Sequence, residues 1–306
     1  TLQGLEMAIG GSVDPYFRLD ANILFSDHGV EIEEAYATTL ALPGNLQARA
    51  GQFLTRFGRM NPQHPHAWRF LDQPLVNGKF LGGEGSRGVG AELSWLAPLP
   101  WFVELVGSAT HASSECCARS FYGDEELEVD NFADLLYTTR LAQFFPLGDD
   151  LSLLWGLSAQ FGPNASGPGN RTEIYGSDLY LRFMPVGTVT RTALSLQLEA
   201  MFRRRQIPGD VLQDGGGRAE LAWDITPRWQ IATRYERVTG AEGDPLDVDW
   251  TSARQRIAAQ GTFFPSHFSR LRLQLSHDDA EWFDAPIYAA MLGLEVMIGA
   301  HGSHKF

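Results

Sequence analysis

Lysine is nearly absent from this chain. Of its 24 basic residues only Lys79 and Lys305 are lysine, and the other 22 are arginine. A soluble domain of this size scatters lysine over its surface. A chain that keeps arginine instead places its cations where the planar guanidinium fork can be held in pairs. Long apolar runs are missing too. No stretch approaches about 18 uninterrupted apolar residues, which excludes a transmembrane helix. Cysteine is reduced to two neighbours, Cys116 and Cys117. A single trans peptide sets their Cα atoms closer than an ordinary disulfide prefers, so they read as loop residues, with an intermolecular role as the alternative. The N-terminus, TLQGLEMAIGG, has neither an initiator Met nor a basic n-region, so the chain reads as processed or truncated. A formal net charge of −13 argues against nucleic acid as a partner. Disorder is excluded by a hydrophobic content of 44% against a charged content of 20%.

What is present is a period of two. Leu194, Leu196, Leu198, Ala200 and Phe202 alternate with Ser195, Gln197, Glu199, Met201 and Arg203. Leu151, Leu153, Trp155, Leu157 and Phe161 alternate with smaller or more polar neighbours in the same way. Such runs last about ten residues, the length a tilted strand needs to cross a hydrocarbon layer, whereas soluble strands average nearer five or six. Fifteen segments read as strands: 3–12, 16–26, 30–41, 45–56, 89–96, 101–112, 131–144, 150–162, 172–184, 190–205, 217–225, 229–238, 250–264, 268–277 and 287–300. The fold class is therefore all-β, a transmembrane antiparallel β-barrel forming a single domain over residues 1–306. Barrels of one bacterial chain close with an even strand number, so sixteen strands are expected, one of them N-terminal to Thr1. That number suits an aqueous lumen.

The connections alternate in kind. Short ones rich in Pro and Gly, such as Pro98-Leu99-Pro100 and Pro185-Val186-Gly187, take turns with longer polar ones, roughly 57–88, 113–130, 163–171, 206–216, 239–249 and 277–285. Short turns on one side and long loops on the other is the asymmetry of bacterial outer-membrane barrels, the long loops being extracellular. Aromatic residues gather at segment ends. Trp95, Trp101, Phe144, Phe145, Trp229, Phe263, Phe264 and Phe268 lie beside short turns, and Trp250, Trp282 and Phe283 at the loop side, as two interfacial girdles would. The longest loop, 57–88, carries Pro, Trp68 and Phe70 and is expected to tuck into the pore mouth. Within it Leu75-Val76-Asn77-Gly78-Lys79-Phe80 reads locally as strand–turn–strand.

The chain ends in His-Lys-Phe after an alternating strand, and this terminal Phe looks like the assembly signal of outer-membrane barrel proteins. The stretch VDPYFRLDANILF and its continuation to Leu75 resembles Gram-negative outer-membrane proteins allied to the phosphate-selective porins, some labelled zinc-regulated outer-membrane receptors. The resemblance covers roughly the first hundred residues. It implies a water-filled pore in a monomer or trimer and names no solute. The chain shows no plug domain and no TonB-box-like start, which points away from energised uptake.

Taking the apolar register as lipid-facing, the lumen side of the later strands carries Arg182, Arg203, Arg205, Arg218, Arg234, Arg254, Arg256, Arg270 and Arg272. Its acids are Asp178, Glu199, Glu220, Asp224 and Glu236. Nine cations against five anions would draw anions through the pore, and the same residues would brace the wall as cross-strand ion pairs. The excess is expected at Arg254, Arg256, Arg270 and Arg272, while the negative charge is expected in solvated loops such as 124–130 and 242–249. His64 and His66, with Asp72, have metal-ligating chemistry but no third fixed ligand, so no metal site or cofactor is assigned. No Ser–His–Asp or paired-carboxylate arrangement has diagnostic spacing, His267, His277, His301 and His304 included, so no enzymatic activity is expected. The sequence thus predicts an outer-membrane channel for passive diffusion of small solutes, weakly anion-preferring. Its surroundings would be lipid and lipopolysaccharide, with a homo-oligomer or protein partner compatible. The alternative is a structural barrel scaffolding an outer-membrane protein assembly.

Overall fold

The computed structural model describes residues 4–27, 29–111, 115–123, 129–187 and 192–299. Its strands run in chain order as β1 (Leu5–Ser12), β2 (Phe17–Ser26), β3 (Gly29–Thr39), β4 (Leu46–Leu54) and β5 (Arg87–Leu96). There follow β6 (Phe102–His111), β7 (Leu136–Pro146), β8 (Leu151–Pro163), β9 (Arg171–Phe183) and β10 (Ala193–Ile207). The last are β11 (Asp210–Thr226), β12 (Trp229–Val238), β13 (Arg254–Ser266), β14 (Ser269–Ala280) and β15 (Ile287–Val296). All fifteen form one antiparallel sheet in which each strand pairs with its sequence neighbours.

The alternation works as the sequence predicts. On β10, Leu194 and Leu198 are 43% and 38% exposed, while Ser195, Gln197 and Glu199 in the alternate positions are buried. Leu198 lies beside Leu179 of β9 and Ala219 of β11, so outward residues form rows across the strands. The outer wall is a continuous apolar surface, which suits hydrocarbon and not water. Polar side chains fill the inside. At a short turn, Asp14 Oδ1 accepts from the amides of Tyr16 and Phe17 at 2.7 and 2.8 Å, an Asx turn that fixes the β1–β2 hairpin.

Several details differ from expectation. Residues 206–216 are not a long loop: β10 and β11 continue to a two-residue turn at Pro208-Gly209, where Gly209 takes φ +83°. Those two strands reach 15 and 17 residues, longer than a membrane crossing needs. The segment read as strand–turn–strand is a helix, α1 (Leu75–Leu81), capped by Gly82 in a left-handed conformation (φ +111°). A seven-residue helix is marginal alone. It exists here because Val76, Phe80 and Leu81 bury against a second helix, α2 (Glu115–Tyr122). Cys116 and Cys117 form a disulfide within α2, contrary to the loop-residue reading, and the chain leaves helical geometry at the next residue, Ala118 (φ −152°). This local distortion accommodates a ring that regular helix would not.

β1 and β15 are the sheet edges among the described residues, and both being odd-numbered they run the same way. The sheet curls around the connection between β4 and β5: His66 touches Glu6 on β1, and Leu71 sits against Gly293 on β15. The expected sixteenth strand lies outside the described residues.

Candidate functional site: a loop-filled lumen

Residues 55–86 leave the wall after β4 and return at β5. Their base is closed by the Thr55 amide donating to Ser86 O at 2.8 Å. Asn61 locks it, donating to Thr55 O and Ser86 O and accepting from the Ser86 amide at 2.7 Å. Gly58 is required at the first inward bend. Its φ is +61°, and a Cβ there would lie 2.0 Å from Glu199 Oε1.

From this base the loop crosses the inside and is fastened to one strand after another. Arg69 pairs with Glu220 of β11 at 2.7 Å, and the Leu71 amide donates to Gln274 of β14 at 2.7 Å. Asp72 accepts from Arg234 of β12 and Arg256 of β13, each at 2.7 Å. The Leu75 amide donates to Glu236 of β12 at 2.7 Å. Lys79, fully buried in α1, donates to Asp214 at 2.6 Å and to Thr239 O, beneath the ring of Trp250. Burial lowers its pKa against the opposing pull of Asp214. Around it Phe57, Phe80, Phe121, Tyr122 and Ile174 make a dry apolar cluster at the long-connection end.

The inward arginines are where the register puts them, but they are not in excess. Arg254 and Arg256 pair with Asp278, at 2.6 and 2.5 Å, and Arg270 and Arg272 share Glu295 of β15, at 2.7 and 3.0 Å. Asp72, Asp278 and Glu295, absent from the inward set read from sequence, supply the missing charge. Arg218 holds Glu199 and Glu220. Arg203 and Arg205, each 1% exposed, are sealed with Asp214, Asp244 and Asp247 under α2 and face no open space. Two acids assigned to solvated loops are therefore buried. Burial alone would raise the Asp247 pKa, but Arg203 and Arg119 outweigh it and hold it below the usual range. Arg182 lies at the short-turn end beside Met184. Asp178 is taken by Arg140 at 2.6 Å, and Asp224 accepts from Gln230. Among the loop acids 124–130, only Asp130 falls within the described residues.

Below the loop, toward the short turns, lies a cavity of about 1010 Å³. Seven arginines line it (49, 56, 59, 69, 140, 234 and 270) against four carboxylates (Glu34, Asp72, Glu104 and Glu220). Five of those arginines were not among the candidates. Arg49 and Arg140 sit on strands whose alternation does reveal them, whereas Arg56, Arg59 and Arg69 belong to the loop, which has no period to read. Arg59 has no ion pair among the described residues. It stacks 4.0 Å from the Tyr180 ring centre and lies 3.5 Å from Gln197 Oε1. Burial, joined by the fields of Arg69 and Arg218, lowers its pKa. Phe144 and Phe264 also line the cavity rather than an outer girdle. Trp250, Trp282 and Phe283 are half-buried in the long connections, Trp282 packing on both of the others and Arg254 lying against Trp250 and Phe283. Trp95, Trp101, Trp229 and Phe268 do face outward.

A different chemistry holds the loop at β1–β3. His64 Nε2 is 2.7 Å from Glu34 Oε2 and 2.8 Å from Asn22 Nδ2. Its Nδ1 lies 3.3 Å from Glu33 Oε2 and 3.6 Å from Glu6 Oε1. His66 stacks parallel to it and reaches Glu6 Oε2 at 2.7 Å. Burial disfavours a charged His64 ring, yet the carboxylates of Glu33, Glu34 and Glu6 outweigh it and raise its pKa to about 10. Asp72, the carboxylate paired with these histidines in the sequence reading, is bound to arginines on the other wall.

No protein-family model matches the chain. Among solved structures, the outer membrane channel DcaP of Acinetobacter baumannii superposes with a TM-score of 0.61 at 14% identity, covering 94% of this chain and 82% of that one. Pseudomonas putida OprB gives 0.57 at 11% identity over 95% and 86%. The anion-selective porin from Comamonas acidovorans gives 0.54 at 13% identity over 90% and 78%. These likenesses establish the fold. In sequence, an uncharacterized protein of Aquifex aeolicus (strain VF5) is 33% identical over 334 aligned residues, covering 98% of this chain and 69% of that protein. The chain belongs to the family of that Aquifex protein, and its fold is the antiparallel β-barrel fold of outer-membrane porins.

Proposed function

We propose that this protein is a bacterial outer-membrane channel through which small solutes diffuse passively, with a modest preference for anions. One observation carries the preference. The cavity is lined by seven arginines and four carboxylates, and Arg59 among them, held by Tyr180 and Gln197, has no ion-pair partner among the described residues. A guanidinium in a space walled by protein acts on a passing ion with little screening, whereas surface charge is screened beyond ~8–10 Å. Guanidinium tips reach the cavity while partners such as Glu92, Asp178 and Glu295 stand behind them. In this reading residues 57–88 form an extracellular loop that narrows the pore, the long connections face the medium, and no catalytic step is assigned. The resemblance of the stretch from Val13 to Leu75 to proteins allied to the phosphate-selective porins agrees with it. Small outward residues of β3–β6, among them Ala37, Ala48, Ala91 and Gly107, leave a shallow apolar depression that suits a neighbouring barrel in a homo-oligomer.

The test is conductance in planar bilayers. Purified protein should open channels whose reversal potential in a salt gradient favours anions, and Arg59→Ser should move that potential toward cations. Cation selectivity of the unaltered protein would overturn the preference. A second reading, a barrel scaffolding an outer-membrane assembly, is favoured by the dry cluster that α1 and α2 build at the long-connection end. That reading requires purified protein to carry no current.

A further inference from the structure

We propose that Glu6, Glu33 and His64 form a binding site for a divalent transition-metal cation of the zinc type, fastening the inner loop to the first strands of the wall. Three ligand atoms, His64 Nδ1 and one oxygen from each carboxylate, lie within 4.8 Å of one another. Two of their separations, 3.3 and 3.6 Å, bracket the roughly 3.4 Å edge of a tetrahedron whose ligands stand about 2.1 Å from zinc.

The local fold is built to converge these groups. In the β2–β3 pairing Asn22 faces Glu34, but Ile23 faces Ile32, so Glu33 is the extra residue of a β-bulge. A bulge lets consecutive residues share one face. Ile32 and Ala35 point outward, and both Glu33 and Glu34 point in. A regular strand would have sent one of these carboxylates to the lipid side. With the bulge, Glu33 reaches Nδ1 of His64 and Glu34 reaches Nε2 of the same ring. Metal-bound histidines commonly donate their second N–H to a carboxylate, which fixes tautomer and ring orientation. Glu34 occupies that position at 2.7 Å. His66, stacked on His64, holds the second oxygen of Glu6.

The corner also stands apart in charge. Inward acids elsewhere, such as Glu92, Asp178, Asp214, Asp278 and Glu295, are matched by arginine or lysine. Among the described residues Glu33 and Glu34 have no arginine or lysine within ion-pair distance. Glu33 Oε2 is buried and accepts no hydrogen bond. Among the described residues the positive charge facing this oxygen is the imidazole of His64 at 3.3 Å, and a divalent cation would take the place of the Nδ1 proton there. Imidazole with carboxylate oxygens suits zinc better than calcium or magnesium, which take oxygen alone. This inference is independent of the channel reading, since a scaffold would use the same tether.

The full chain, refolded in detergent and freed of metal, would be titrated with Zn²⁺ against a chelating dye. One equivalent should bind in the low micromolar range or tighter. Glu33→Gln, close in shape, should weaken binding at least tenfold, and Glu34→Gln by about 10–100-fold, as for other residues that orient a ligand. Folding of each variant is checked by its barrel mobility on unheated gels. X-ray absorption of the unaltered protein keeps the proposal testable if a variant does not fold: it should show nitrogen and oxygen ligands including imidazole. Absence of binding, sulfur ligation, unchanged affinity in folded Glu33→Gln, or equal binding of Ca²⁺ would each overturn the site.

Discussion

The inner loop is held by two kinds of contact, and their difference is instructive. Toward β10–β15 it is held by ion pairs of arginine and its one lysine: Arg69 with Glu220, Asp72 with Arg234 and Arg256, Lys79 with Asp214. Toward β1–β3 it is held by two imidazoles among three glutamates. Guanidinium stays charged at every physiological pH, so the first attachment is permanent. In the site proposed above the His64 imidazole gives up its proton to a metal, so the second answers to the metal content of the medium. One loop thus has a fixed side and a conditional side. The same contrast explains why counting inward arginines misleads about selectivity. Most of them are committed to the loop or to a neighbouring strand, and among the described residues the cation that faces the cavity without an ion pair, Arg59, is on the loop itself.

The largest effect should come from the fixed side. Asp214→Asn leaves Lys79 and Arg203 facing a neutral group in the interior, and breaking such a buried pair costs about 3–5 kcal/mol. Urea unfolding from lipid vesicles measures it, and a loss near zero would mean the loop is not anchored there. Next comes the conditional side. With Zn²⁺ at a hundredfold over its dissociation constant the unaltered protein should gain about 2.7 kcal/mol, and His64→Gln should gain nothing. Equal gains would erase the distinction between the two sides.

Smaller still is Asp72→Asn. Arg234 keeps Glu236 and Arg256 keeps Asp278, so the cost should be about 1–3 kcal/mol, with faster proteolysis within 57–88. Replacing Arg254, Arg256, Arg270 and Arg272 together by Gln should likewise loosen the loop. It should move the reversal potential less than Arg59→Ser alone, and a larger shift would show that the four face the ion path after all. The smallest effect concerns acid. Asp247 has a pKa below its ordinary 3.8. A depressed carboxylate contributes stability above its unfolded pKa and loses it as pH falls through the folded value. The 239–249 connection should therefore stay docked at pH near 4 and release only well below it, read by the fluorescence of Trp250.

The sequence determined the wall. Period two sustained over about ten residues located all fifteen strands, though β11 begins seven residues before its expected start and β7 five residues after, because each strand meets apolar surroundings on one face and polar contents on the other, and that demand repeats locally. It also put Arg203, Arg218, Arg234 and Arg256 on the inner face, since facing follows from alternation alone. Only the tertiary structure decided what those residues touch. Asp72, Asp278 and Glu295 neutralise five arginines from 22 to 184 residues away in the chain, and no local pattern records such a meeting. The helix at Leu75–Leu81 was illegible because a seven-residue segment takes its conformation from the surface it buries. The bulge at Glu33 was illegible because it depends on register with β2. What a strand says of itself is which way each residue faces; what it faces is settled by the rest of the chain.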